Sequence, residues 1–128
     1  MGRIVVEANL ENGLDPSHSI RCDALVDTGA AYLTLPSAWR ERLGTLRELD
    51  TVEVETADQS IIQGVICGPI LLRIAHFRPI LTEVLFIGMQ PEDGRYEPLI
   101  GYIPLEQAQA AVDRLGHRLV KVSRVDLK

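Results

Sequence analysis

Short apolar segments separated by turn residues recur along the whole chain of 128 residues. Segments rich in Val, Ile and Leu and bounded by Gly, Pro, Asn or Asp are typical of β-strands. In TVEVET, residues 51–56, valines alternate with glutamates, which is the pattern of a strand with one face in water. The sequence therefore predicts an all-β protein with strands at residues 4–10, 20–26, 31–35, 51–56, 61–67, 70–75, 80–87 and 118–125.

The most continuously apolar stretch is IIQGVICGPILLRI, residues 61–74, and it is interrupted by Gly64 and Gly68. Because a glycine inside a strand often marks a bulge or a sharp bend, we expect the backbone to bend or bulge here. The run of apolar residues also predicts that both faces of this segment are covered in part.

Two stretches depart from the strand pattern. PSAWRERLG, residues 36–44, predicts a short helix with Ser37 as its N-cap and Gly44 as its C-terminal stop. PLEQAQAAVDRLG, residues 104–116, predicts a longer helix, because proline suits the first helical position and glycine often follows the last one. The face of this helix that is expected to pack on the sheet contains Leu105, Ala108, Val112 and Leu115.

Composition and charge narrow the class of protein. The chain is 46% hydrophobic and 24% charged, which excludes a largely disordered protein and fits a single domain over residues 1–128. The net charge of -5 argues against nucleic acid as a partner, since phosphate binding needs a concentrated basic surface. The sequence shows neither a secretion signal nor a membrane-length apolar run, so we expect a cytoplasmic protein with no membrane partner.

The cysteines and histidines form no pattern typical of a metal or thiol site. Cys22 and Cys67 lie in separate hydrophobic runs, where a free thiol usually behaves as a small buried apolar group. His18, His76 and His117 lack the spacing of zinc ligands, so we expect no metal and no cofactor. Cysteine chemistry stays open as a remote alternative, although nothing in the sequence places a histidine near a thiol.

RCDALVDTGAAYLTLP, residues 21–36, sets Asp27, Thr28 and Gly29 between two apolar runs. Asp and Gly are common turn residues, so one interpretation is a tight turn in which Asp27 has only a structural role. The tripeptide D-T-G arises by chance in roughly a few per cent of chains of this length, so the surrounding sequence must decide.

The order of the surrounding motifs resembles that of the retropepsin-like (retroviral-type) aspartic proteases. ALVDTGA at residues 24–30 is followed by a central hairpin, then by PLIG at residues 98–101 and a helix, and the resemblance spans residues 4–125. It implies an all-β, closed-barrel acid-protease fold with one C-terminal α-helix and a short helix after the catalytic strand. It also implies a symmetric homodimer, because family members of this size carry one D-T-G per subunit.

The activity that the resemblance implies is aspartic endopeptidase, hydrolysing extended peptide or protein substrates. Without a metal or a covalent nucleophile, one group must take a proton from water and another must donate one to the substrate. Two carboxylates held about 3 Å apart can do both, because they cannot both ionise and the pair keeps one proton. On this hypothesis Asp27 of each subunit supplies one of the two carboxylates.

The resemblance also implies roles for the neighbours of Asp27. Thr28 would donate a hydrogen bond across the subunit interface, and Gly29 would let its backbone N–H approach the carboxylates closely. Ala30 matches the residue that usually follows D-T-G in the retroviral-type branch. Ala31 stands where retroviral enzymes often carry an acidic residue that holds substrate, so the grip on substrate is expected to differ. The strand that crosses beneath this loop would contain Leu99, Ile100 and Gly101.

The central hairpin matches the flap of the family in position. A flap closes over an extended peptide, pairs with its backbone and excludes water from the carboxylates. The alternative is an exposed hairpin with a polar tip. The predicted flap and substrate-binding residues are Ala57, Asp58, Gln59, Ser60 and Ile61.

Two further functional hypotheses remain at this point. One is a catalytically silent retropepsin-like domain that has kept the fold for binding or dimerisation. The other is a small β-barrel interaction module, a stable monomer in which Asp27 only caps a turn. The intact D-T-G-A sequence argues against a decayed catalytic site.

Overall fold

The computed structural model describes residues 3–56 and 58–122. Within them, strands cover most of the chain, so the protein is mostly β, which is consistent with the predicted all-β fold. These residues also form a short 3₁₀-helix at Ser37–Leu43 and an α-helix at Tyr102–Gln107, here called α1. No helix of the described residues could span a membrane. The strands are Val5–Asn12 (β1), Asp15–Val26 (β2), Leu33–Pro36 (β3), Arg47–Glu55 (β4), Ile61–Ile74 (β5), Ile80–Ile87 (β6), Leu99–Ile100 (β7), Ala110–Asp113 (β8) and Arg118–Lys121 (β9).

Seven strands pair in the order β1-β2-β7-β3-β6-β5-β4, and β8 and β9 form a separate two-stranded sheet. The long strand β5 has two partners: its first part pairs with β4, and its second part, Ile70–Ile74, pairs with Asn12–Ala8 of β1. Strand β1 therefore has β2 on one side and β5 on the other.

Strand β7 lies between β2 and β3 and determines where the candidate site forms. It runs parallel to β2, with Leu25 opposite Leu99 and Val26 opposite Ile100. It runs antiparallel to β3, with Leu33 opposite Ile100. The loop that joins β2 to β3 must therefore pass across the end of β7.

The core is aliphatic and follows the alternation of the strands. In β5, Ile70, Leu72 and Ile74 are fully buried, whereas Leu71 and Arg73 point to the other face and are more exposed. Burial of such a side chain contributes about 1.5–3 kcal/mol to folding. The other large side chains that are fully buried include Leu10, Leu33, Leu35, Leu43, Val84, Phe86 and Ile100.

The prediction of a helix over residues 104–116 is wrong beyond Gln107. Gln109 adopts a positive φ of 56°, a left-handed conformation that ends the helix. The chain then enters β8, whose backbone pairs with β9 from Ala110 opposite Lys121 to Asp113 opposite Arg118. Cross-strand pairing thus overrides local helix propensity.

The apolar face predicted for that helix is correspondingly divided. Leu105 and Ala108 are buried beside α1, as expected. Val112 belongs to β8, and Leu115 is 98% exposed in the turn between β8 and β9. Gly116 does not end a helix; its N–H donates to Oδ1 of Asp113 within this turn, over 3.1 Å.

The remaining elements differ from prediction mainly at their ends. Residues 61–67 and 70–75 form one strand, β5, with a register shift between Cys67 and Ile70 that confirms the bulge expected near Gly68. Gly64 pairs regularly with Val52 and causes no bulge. Ser37 is the first residue of the 3₁₀-helix rather than its cap. Residues 123–125 of the last predicted strand lie outside the described residues.

Candidate active site

The D-T-G sequence forms a tight loop directly after β2. Oδ1 of Asp27 accepts a hydrogen bond from the backbone N–H of Gly29, over 3.0 Å. The backbone oxygen of Asp27 accepts another from the N–H of Ala30, over 3.1 Å. Asp27 is half-buried, and Thr28 and Gly29 are exposed. The turn that the simple interpretation predicts is therefore present, and the carboxylate helps to form it.

The loop is held from below by β7 and the start of α1. The N–H of Asp27 donates to the backbone oxygen of Ile100 over 3.0 Å, and the N–H of Gly101 donates to that of Tyr32 over 3.1 Å. Just beyond, the N–H of Tyr102 donates to the oxygen of Ala30 over 2.9 Å. These bonds place the predicted crossing residues directly against the loop and hold its backbone at several points.

The central hairpin is formed by β4 and β5. Its strands pair from Arg47 opposite Gly68 to Glu55 opposite Ile61, next to the tip. At the tip, the N–H of Thr56 donates to the oxygen of Ser60 over 2.8 Å. The predicted residue Ala57 lies outside the described residues.

Asp58 fixes the conformation of the hairpin tip. Its Oδ1 accepts hydrogen bonds from the hydroxyl of Thr56 and from the N–H of Ser60. Gln59, between them, has a positive φ of 68°. The hydrogen bond from the side chain of Thr56, followed by those from Ser60, lowers the pKa of the Asp58 carboxyl from 3.8 to about 2.

A cleft of about 650 Å³ separates the D-T-G loop from the hairpin. Asp27, Gly29 and Ala30 line it on one side, and β4 lines it on the other. Apolar side chains from β6 and β7 complete its surface. A cleft of this size is typical of sites that bind a ligand, and Asp27 and strand β4 of the central hairpin lie on opposite walls of it. The contributing residues outside the D-T-G loop are Ala31, Tyr32, Thr34, Val52, Glu53, Val54, Glu55, Thr56, Leu85, Ile87 and Leu99.

The fold is similar to that of the EIAV protease solved in complex with the inhibitor HBY-793, with a TM-score of 0.58. The two chains are 18% identical, and the similarity covers 82% of this chain and 86% of the EIAV protease. No protein-family model and no curated protein sequence matches the chain. The comparison shows that the chain shares the fold of a retroviral protease, which is the fold that the sequence resemblance implies.

The predicted site residues divide between several surfaces. Leu99 lines the cleft together with Asp27, whereas Ile100 and Gly101 are buried beneath the loop. Asp58 and Ser60 line a neighbouring cavity of about 750 Å³ that also contains Leu99. The exposed residues Gln59 and Ile61 line neither the cleft nor this cavity.

Sequence reasoning missed the second side of the D-T-G loop. Asp27 and Thr28 also line a cavity of about 400 Å³ whose opposite wall is the β8–β9 hairpin. That hairpin contributes Val112, Arg114 and His117. Val112 and Arg114 lie in the segment predicted as a helix and His117 lies just after it, so no signal in the sequence placed them near Asp27. The cleft residues Val52 and Val54 were also missed, although the alternation in β4 could have indicated them.

Proposed function

We propose that this protein is an aspartic endopeptidase that acts as a symmetric homodimer, with Asp27 from each subunit activating one water molecule. One observation carries the proposal: Asp27 lines a cleft of about 650 Å³ whose opposite wall is strand β4 of the central hairpin. The fold shared with the EIAV protease supports the same conclusion. We further propose that the main sheet closes into a barrel, since β1 pairs with both β2 and β5.

The chemistry requires the two carboxylates to share one proton. At the short separation of such a pair, ionisation of the second group is strongly disfavoured, so one stays protonated. The ionised carboxylate takes a proton from water as the water oxygen bonds to the peptide carbonyl carbon, and the protonated carboxyl gives its proton to the carbonyl oxygen. The C–N bond of the resulting diol then breaks: one aspartate protonates the leaving amine and the other takes a proton from a diol hydroxyl, so the pair again holds one proton. The hydrogen bond from Gly29 orients Oδ1 of Asp27 and leaves Oδ2 for the water and the partner aspartate.

The second copy is expected to approach through the face that carries Thr28 and the β8–β9 hairpin. Thr28 is exposed beside Asp27, where its hydroxyl can reach the equivalent loop of a twofold-related subunit. Within the described residues, β8 and β9 pair only with each other. An isolated two-stranded sheet is marginally stable, so pairing or packing with a second copy would stabilise it.

The substrate in this proposal is an extended peptide in the cleft. Val52 and Val54 are half-buried, whereas Glu53 and Glu55, which alternate with them, are exposed. The two valines can therefore contact apolar side chains of a bound peptide. The hairpin tip would act as the flap, adding backbone hydrogen bonds and excluding water from the two aspartates.

The proposal is tested by incubating the protein with a diverse peptide mixture at pH 4 to 7 and identifying new termini by mass spectrometry. We expect cleavage by the wild type and by Asp23→Asn, an exposed aspartate on β2, and none by Asp27→Asn. Sedimentation equilibrium on the same samples reports the oligomeric state. Equal cleavage by wild type and Asp27→Asn would contradict the proposal. A dimer without any cleavage would favour the catalytically silent binding or dimerisation domain, and a monomer would favour the interaction module.

A further inference from the structure

A second apolar cavity, of about 540 Å³, lies beside the cleft. Strands β4, β5 and β6 and helix α1 contribute to it. Two of its leucines are unusually accessible for large apolar side chains: Leu49 is 49% exposed and Leu81 is 60% exposed. The residues that line this side cavity are Tyr32, Arg47, Leu49, Gly68, Pro69, Leu81, Thr82, Glu83, Ile103 and Gln107.

Tyr32 connects the side cavity to the cleft, because it lines both. Its backbone is fixed: the oxygen of Tyr32 accepts hydrogen bonds from the N–H of Gly101 over 3.1 Å and from the hydroxyl of Thr34 over 3.2 Å. Tyr32 as a whole is half-buried. The side cavity therefore adjoins the cleft that contains Asp27, and one aromatic residue lines both.

The lining of the side cavity suits an uncharged, apolar group. Leucine and proline side chains with Ile103 form much of its surface, and its volume lies within the range of ligand pockets. Arg47 and Glu83 carry opposite charges, so the lining has no net charge that would favour a charged ligand. Accessible apolar surface of this kind gains free energy when an apolar partner covers it.

We propose that the side cavity receives a large apolar side chain of the bound peptide, at a position that does not flank the scissile bond. The inference rests on the proposed peptidase function and adds a determinant of specificity to it. Successive side chains of an extended peptide point to opposite sides and advance about 3.3 Å per residue. A peptide that lies past Ala31 and Tyr32 thus presents a side chain to the side cavity while its scissile bond lies at Asp27.

The first test fills the side cavity without touching the core. Leu81→Trp and Leu49→Trp place a larger ring there, and both positions are substantially exposed, so the fold should persist. In a cleavage screen with randomised decapeptides, we expect wild type to favour Leu or Phe at one position away from the cut. Either variant should lower kcat/KM for those peptides about 10-fold and leave peptides with Ala there within about twofold.

Leu14→Trp is the matched control, since Leu14 is 76% exposed and does not line the side cavity. This variant should keep the wild-type preference. The inference would be overturned if the wild type were active but showed preferences only at the positions that flank the scissile bond. It would also be overturned if both filling variants kept the preferences of the wild type. Either result would leave the proposed peptidase function intact.

A second test does not depend on catalysis. N-acetyl-L-leucinamide is titrated into methyl-labelled Asp27→Asn protein, and the methyl resonances of Leu49 and Leu81 are followed by NMR. We expect saturable shifts at both leucines and a weaker response in Leu81→Trp at the Leu49 methyls. If the methyl resonances of both leucines stay unchanged up to the solubility limit of the ligand, the side cavity binds no apolar side chain. This conclusion holds whether or not the protein is a peptidase.

Discussion

Gly101 lies so close to Ala30 that a Cβ at position 101 would come within 2.5 Å of the carbonyl oxygen of Ala30. The same Cβ would lie 2.5 Å from the carbonyl carbon of Ala31. Both neighbours are backbone atoms of the D-T-G loop, which is itself held by the N–H of Tyr102. The absence of a side chain at Gly101 therefore lets the loop rest directly on the end of β7.

Gly101→Ala is expected to destabilise the protein and to displace the D-T-G loop. Backbone cannot move aside as a flexible side chain can, so the overlap should lower the free energy of unfolding by about 1–3 kcal/mol or more. Urea denaturation measures this change. Gly88→Ala is the control, because within the described residues no atom lies within 4 Å of an added Cβ there. If Gly101→Ala were as stable as Gly88→Ala, the tight packing of the loop would be contradicted.

Thr28→Val is expected to weaken the proposed dimer. Valine keeps the shape of threonine but removes the hydroxyl, so each subunit loses the hydrogen bond proposed to cross the interface. With about 0.5–1.5 kcal/mol for each of two symmetric bonds, the dissociation constant should rise about tenfold or more. Sedimentation equilibrium measures it, and Thr51→Val, at an exposed position on β4, is the matched control. Equal dissociation constants for the two variants would exclude this role for Thr28.

The hairpin tip is expected to depend on the ionisation of Asp58. The pKa of its carboxyl is lowered to about 2, chiefly by the hydroxyl of Thr56. A group with a lowered pKa stabilises the folded state above its ordinary pKa, here 3.8, and loses that effect as the pH falls through about 2. The tip should therefore keep its hydrogen bonds from pH 7 to 4 and lose them between about pH 4 and 2.

An NMR titration of the amide of Ser60 checks this prediction. The amide donates to Oδ1 of Asp58 over 3.1 Å, so its shift should follow the protonation of that carboxyl. In Asp58→Asn the same amide should show no transition in this range. A midpoint near 4 in the wild type would show that the hydrogen bonds at the tip do not hold the carboxylate.

Cys22 is expected to be unreactive in the folded protein. Burial raises the pKa of its thiol from 9.0 to about 11, and the nearby carboxylate of Asp23 adds to the effect. Burial also raises the pKa of the Cys67 thiol. Because the thiolate is the reactive form, iodoacetamide at pH 8 should label the folded protein about 100-fold more slowly than the protein in 8 M urea. Rapid labelling that also abolishes peptide cleavage would revive the cysteine alternative.

Local pattern was sufficient for the strands and for the loop with Asp27. The alternation of Val52 and Val54 with glutamates is a property of neighbouring residues, and β4 follows it. Likewise, Asp27, Thr28 and Gly29 form a turn because their short or absent side chains suit one. The sequence by itself thus determined the mostly-β composition and the position of the candidate carboxylate at the end of a strand.

Only the tertiary structure determined which residues distant in sequence lie together, because local patterns carry no information about such contacts. Residues 110–113 have a helical pattern yet form β8, because pairing with β9 satisfies their backbone groups. The hairpin brings Arg114 and His117 to the same cavity as Asp27, although they are distant in sequence. Tyr32 likewise lines both the cleft and the side cavity only because distant strands and α1 meet around it. Such contacts depend on the pairing and packing of whole elements, so only the folded chain determines them.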